Sequence, residues 1–234
     1  MSTACMFAIL VGTLTLMMRI NCMEYQTHSV NGTQKFAKES AIHLVLVLLM
    51  VLLSIRQRWS LVGEQLQDVV SNKTKSKYLF GWKLDAYKYI MKNKDLLYDS
   101  YISIIESNLS DDFKSMKLMQ LFMQIKGFNT VKAGFVCQLT AGLVGCIDVH
   151  NERLYGINTK DFTIKKGIKS DVLKTSTLIK YISFCKTTGT ETLWDNWCNL
   201  LTTKDSKWLN SFQVSKAHYD YLRYSLVLFH RNIS

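Results

Sequence analysis

The stretch from Ala41 to Ile55 (Ala-Ile-His-Leu-Val-Leu-Val-Leu-Leu-Met-Val-Leu-Leu-Ser-Ile) constrains this chain more than any other. Wound as a helix it is apolar on nearly every side, so protein or lipid must enclose it. Such a helix spans about 22 Å, short of the roughly 30 Å of a bilayer core. Lys38 and Glu39 flank one end, Arg56 and Arg58 the other. The reading preferred here is a central core helix, with a membrane span as the alternative. Proline is absent from the chain, which suits a mostly helical protein. A length of 234 residues suits one large domain, or a domain with an extension, and can bury a substantial core.

A second stretch carries the functional signal. Met116, Met119, Phe122 and Met123 recur at helical spacing, and Ser110-Asp111-Asp112 stands upstream where a cap and first-turn acids belong. Another apolar segment, Val131, Phe135, Val136 and Leu139, follows and stops at Gly142. Only Lys126-Gly127-Phe128-Asn129-Thr130 separates the two. Gly127 takes positive φ freely and Asn129 tolerates it. The pattern predicts helix, tight hairpin, helix, with Thr130 capping the second helix. The free N–H groups at that helix start favour an anion such as a backbone phosphate. Downstream lies Ile147-Asp148-Val149-His150.

These residues resemble the helix-hairpin-helix of the DNA glycosylase superfamily that includes endonuclease III. That family carries Leu-Pro-Gly-Val-Gly-Arg-Lys-Thr-Ala, an apolar run, then Val-Asp-Thr-His. Ile125 to Ala133, and then Ile147 to His150, stand where those motifs would. Leu52-Leu53-Ser54 and Gln57 likewise resemble the end of the early apolar helix in that family, where a loop probes DNA beside an extruded base. The resemblance implies a glycosylase-like all-α domain that binds DNA. Lys126, Gly127, Phe128, Asn129, Thr130 and Lys132 would contact DNA from the hairpin, and Arg56 and Gln57 from the helix end. Asp148 would be the catalytic carboxylate, since a fixed anion stabilises the positive charge that develops on the sugar as a glycosidic bond breaks. The bland alternative is an Asp that only caps the following helix. Where bifunctional family members place a lysine nucleophile, this chain has Val131, and Lys132 is turned by about 100°. The expected activity is therefore hydrolysis of the base–sugar bond without strand cleavage. The hairpin, Asp148-x-His150-Asn151 and Leu193-Trp-Asp-x-Trp-Cys198 together are also similar to uncharacterised small proteins of marine tailed phages.

Charge agrees with an acidic partner: Lys and Arg exceed Asp and Glu by 11. A solvated basic surface is the alternative. None of the six cysteines forms a Cys-x-x-Cys pair, so no metal site and no cofactor is expected. Buried free thiols in a reducing, cytoplasmic setting (a host cell, if the chain is viral) are the default. Tyr78 to Tyr101 mixes aromatic and basic residues, which suits a nucleic-acid surface or, more simply, aromatics in the core with lysines outside. Leu173, Leu178, Ile179, Ile182 and Phe184 mark an amphipathic helix, and Trp194 and Trp197 read as core anchors.

The expected organisation is an apolar N-terminal extension over residues 1–37 and a helical helix-hairpin-helix domain over residues 38–232, acting as a monomer. Three functions compete. The first is a DNA-binding protein with monofunctional glycosylase activity. The second is a non-catalytic DNA-binding or phage structural protein on the same scaffold. The third is a small membrane protein using residues 4–18 and 41–56.

Overall fold

The computed structural model describes residues 31–164, 167–205 and 211–231. Among the described residues it is all-α, with no strand. The helices are α1 (Asn31–Glu39), α2 (Ala41–Ser54), α3 (Val62–Asn72), α4 (Trp82–Lys92), α5 (Lys94–Glu106), α6 (Asp111–Phe122), α7 (Thr130–Thr140), α8 (Val149–Tyr155), α9 (Asp171–Thr188), α10 (Thr190–Asp205) and α11 (Ser211–Arg231).

α2 is the axis of the fold. Every residue from Leu44 to Leu53 is buried, and α1, α3, α4, α5, α7 and α11 all pack around it. That is the enclosure an all-apolar helix of 14 residues requires. No described helix is long and apolar enough to cross a membrane. Residues 4–18 lie outside the described residues.

The body of the fold begins before residue 38. Phe36 and Ala37 on α1 are buried, and α1 packs on α2 and α7, so Asn31–Glu39 belongs to the domain and not to an extension. Phe36 and Ala37 stand beside the polar pair Lys38-Glu39, so the apolar face of α1 is short.

α7 is the second core helix, buried from Ala133 to Thr140. Gly134 gives it a flat face, and the Tyr181 ring of α9 lies there; a Cβ at Gly134 would sit 2.2 Å from the Tyr181 hydroxyl oxygen. Gly63 on α3 accommodates the Tyr221 ring of α11 in the same way. Trp59, Phe135, Trp194 and Trp197 form an aromatic cluster where α7 and α10 meet the turn after α2. Cys137, Cys146, Cys185 and Cys198 are free and buried. Burial pushes the Cys185 thiol up to about 12, so it behaves as a small apolar group.

Candidate nucleic-acid interface

The hairpin is formed by α6 and α7, which pack against each other. α6 ends as Ile125 N–H donates to the Phe122 carbonyl. A turn follows, closed by Phe128 N–H to the Ile125 carbonyl at 3.0 Å, with Gly127 at φ +86°. Positive φ at that third position is what a type II turn demands. The Trp82 ring of α4 lies where a Gly127 Cβ would project, 2.2 Å from its nearest ring atom. Gly127 is thus fixed by backbone and by packing together.

The cap of α7 differs from the expectation. Asn129 is the N-cap, at an ordinary φ of −85°, and its Oδ1 accepts the Lys132 N–H at 3.0 Å. Thr130 is the first helical residue and is 0% exposed; its Oγ1 accepts the Ile164 N–H at 3.1 Å. Asn129 is in extended backbone one position before the helix, where its side-chain oxygen reaches the N–H three residues on, and Thr130 is left to hold the loop after the Thr159–Phe162 turn. Phe128 is buried as well. Phe128 and Thr130 therefore support the bend from inside. Lys126, Gly127 and Asn129 form its exposed rim. Lys126 pairs with Asp85, and that bond and charge hold the Asp85 carboxyl below the usual carboxylate range.

The end of α2 lies on the same side. Lys83 of α4 is 5% exposed, and its amine donates to the carbonyls of Leu53 (3.2 Å) and Ile55 (3.1 Å). These are the free carbonyls that a helix C-terminus leaves, and a cation is favoured there. Burial first, and then the nearby Lys132 ammonium, hold the Lys83 amine below the usual lysine range. Arg56 follows with φ +58°, a conformation that glycine adopts more readily. Arg56, Gln57 and Arg58 are exposed.

Lys132 lies on α7, and its long stem carries the amine back over the helix. It lies over the Phe135 ring at 5.3 Å and within electrostatic reach of Lys83 and Cys146. It makes no ion pair with Asp148 among the described residues.

Asp148 is the N-cap of α8. Its Oδ1 accepts the N–H groups of His150 (2.9 Å) and Asn151 (3.3 Å), and its Oδ2 accepts the Trp197 indole N–H at 3.0 Å. The segment that delivers it is held by side chains. Gly145 N–H donates to Cys185 Sγ, Cys146 N–H to Gln138 Oε1, and Ile147 N–H to the Tyr181 hydroxyl. Tyr181 in turn donates to the Gly145 carbonyl, and Asn151 Nδ2 donates to the Cys146 carbonyl. Two buried polar atoms beside Asp148, His150 Nδ1 and Asn151 Oδ1, have no partner among the described residues.

Helix α4 thus links the two predicted contact segments: Trp82 lies against Gly127 and Asp85 pairs with Lys126 of the hairpin that also carries Asn129 and Lys132, while Lys83 holds the Leu53 and Ile55 carbonyls just before Arg56 and Gln57. Asp148 is linked through Trp197 to the aromatic cluster, in which the Trp197 ring meets that of Trp59, the residue after Arg58, at 5.1 Å. Sequence reasoning missed Lys83, Trp197, Tyr181 and Gln138 as parts of this site. Only Trp197 carried a signal, as one of a tryptophan pair. Among the described residues no group of His, Cys, Asp and Glu is arranged to hold a metal. No family model, curated protein or solved structure matches the chain.

Proposed function

We propose that this protein binds DNA through the hairpin rim and the end of α2, and hydrolyses a base–sugar bond with Asp148 as the catalytic carboxylate. The observation that carries the reading is the Trp197–Asp148 bond, which ties the carboxylate to an aromatic cluster that includes Trp59, the residue after Arg58. A carboxylate has about four acceptor positions, and three donors reach this one. That leaves about one acceptor position on Asp148 for a substrate or water to use on this reading. A pre-oriented anion of this kind stabilises an oxocarbenium-like transition state without reorganisation. With no lysine where the family has its nucleophile, the reaction is hydrolysis, and the strand is left intact.

A second reading has its own support. The two backbone N–H bonds make Asp148 a complete helix cap, which is sufficient reason for an aspartate at this position. On that reading the protein binds DNA and performs no chemistry.

A panel of duplexes, each with one damaged or mismatched base, separates the two. Base release is read by alkaline cleavage at the resulting abasic site. The enzyme reading expects release from at least one duplex, with Asp148→Asn slowing it by roughly a hundredfold at unchanged affinity. Asn keeps the cap through its one carbonyl oxygen but sets an N–H donor against the Trp197 indole N–H, so circular dichroism of the variant is compared with the wild type before its activity is read. Binding without release from any duplex leaves the non-catalytic reading.

A further inference from the structure

Phe80 is 64% exposed, on the turn that joins α3 to α4. A single exposed ring is ordinary on a protein surface, but the setting of this one is specific. Its neighbours Tyr78, Leu79 and Trp82 pack against the core, so the chain around it is anchored on both sides. The turn is also held by its own hydrogen bonds. Ser76 donates its hydroxyl to Asp68 Oδ2 and accepts the Tyr78 N–H at 3.2 Å, and its carbonyl accepts the Leu79 N–H at 3.1 Å. The Phe80 carbonyl accepts the Lys83 N–H at 3.1 Å. A ring presented to water from a fixed backbone loses little conformational freedom when a partner stacks on it. Lys73, Lys75 and Lys77 precede it and are all exposed. None of them belongs to a described ion pair, and the Asp68 carboxylate is already bonded to Asn72 and Ser76. Two residues beyond Phe80 stands Trp82, the ring seated on Gly127 of the hairpin.

We propose that Phe80 is a stacking platform for one unpaired nucleobase, with Lys73, Lys75 and Lys77 holding the phosphates of the strand that carries it. The inference rests on the DNA-binding reading and narrows its ligand to DNA with an unpaired stretch beside the duplex. Every base has a π-face, so one ring takes any of them, while the basic turn supplies an attraction that is independent of sequence. This chemistry fits a strand better than a lipid surface. A membrane-binding segment buries a broad apolar face at the acyl boundary. Here one ring stands alone, because Leu79 on one side is buried and Gly81 on the other has no side chain.

The test uses the full chain and three ligands: a blunt duplex, the same duplex with a tail of thymidines, and the same duplex with an abasic tail of equal length and charge. The wild type should bind the thymidine tail about fivefold or more tightly than the abasic one. Phe80→Ala should erase that difference while its circular dichroism and its affinity for the blunt duplex stay as in the wild type, and Phe80→Tyr should keep it. Lys75→Gln should lower the salt slope for both tails by about 0.7 and leave their ratio intact. Equal binding of the two tails by the wild type, or a thymidine preference that survives in Phe80→Ala, overturns the platform; blunt-duplex binding in the same experiment leaves the DNA-binding reading in place. A thymidine preference that depends on Phe80, with the blunt duplex unbound, keeps the platform and removes the duplex reading. Binding to phosphatidylcholine–phosphatidylserine vesicles that Phe80→Ala abolishes, with no thymidine preference, overturns the platform in favour of a membrane surface. No affinity for any of the three ligands removes both readings.

Discussion

Trp197 donates its indole N–H to Asp148 Oδ2 at 3.0 Å, joining residues 49 positions apart and tying the start of α8 to α10. The bond fixes the one carboxylate oxygen that the helix cap leaves free. Trp197→Phe keeps an aromatic ring beside Trp59, Phe135 and Trp194 but removes the donor and part of a buried indole. The expected loss is about 2–4 kcal/mol in chemical denaturation, from the lost bond and the cavity together. If base release is found, kcat should fall with KM little changed, because Asp148 acts in the transition state. A variant as stable as the wild type would show that neither the bond nor the indole packing holds α8 to α10.

Tyr181 holds two backbone groups of the segment before Asp148, the Gly145 carbonyl at 2.7 Å and the Ile147 N–H at 3.0 Å. It is fully buried, and burial raises its hydroxyl well above the ordinary tyrosine range, so it stays a neutral donor and acceptor. Tyr181→Phe strands the Ile147 N–H and leaves the Gly145 carbonyl only the weak Cys185 thiol donor at 3.7 Å. A cost of about 2–4 kcal/mol is expected, with faster amide exchange at Ile147. Unchanged exchange there would mean that the segment is held by its other bonds alone.

Two glycines with positive φ allow a controlled comparison. Gly127 has the Trp82 ring at its Cβ position, whereas Gly156 has nothing within 4 Å. Gly156→Ala should cost about 1 kcal/mol of backbone strain. Gly127→Ala adds displacement of Trp82 and should cost about 2–4 kcal/mol, and it should disturb the hairpin rim. Equal costs at the two positions would deny that Trp82 is seated on the hairpin.

Part of this arrangement is legible in the sequence. α2 is readable because a run that is apolar all round has only two environments open to it, and its length decides between them. The hairpin is readable because Gly127 interrupts two periodic segments with few residues to spare. What is hidden depends on partners far along the chain. Lys83, among alternating aromatic and basic residues, reads as a solvent-facing lysine; its burial depends on the Leu53 and Ile55 carbonyls, some 30 residues earlier. Leu173 and Ile179 read as core positions of α9, yet they are 55% and 50% exposed. The helix is rotated so that Leu178, Tyr181, Ile182 and Cys185 face inward, because Gly134 on α7 opens a place for the Tyr181 ring. A glycine on one helix thus sets the phase of another, and neither helix reports this alone.

Lys83 also gives a pH signature. Its folded pKa lies below the unfolded value, so between the two the unfolded chain binds more protons. Stability then rises as pH climbs through the folded pKa, and the gain ends near 10.4, where the unfolded lysine loses its proton. The wild type should gain on Lys83→Met over that window when both are unfolded in urea at a series of pH values. A constant difference between the two, or a wild type that loses ground, would contradict the burial of a charged amine at the end of α2.

The central claim is that the surface formed by the hairpin rim and the end of α2 grips a duplex. Fluorescence anisotropy with one labelled duplex, repeated from low to physiological salt, tests it most directly, using the wild type, Lys126→Glu and Arg56→Glu. The expected result is wild-type binding that weakens steeply with salt, with both variants weaker and shallower in slope. Equal affinity of all three proteins at every salt concentration, or no binding by the wild type at low salt, would contradict it.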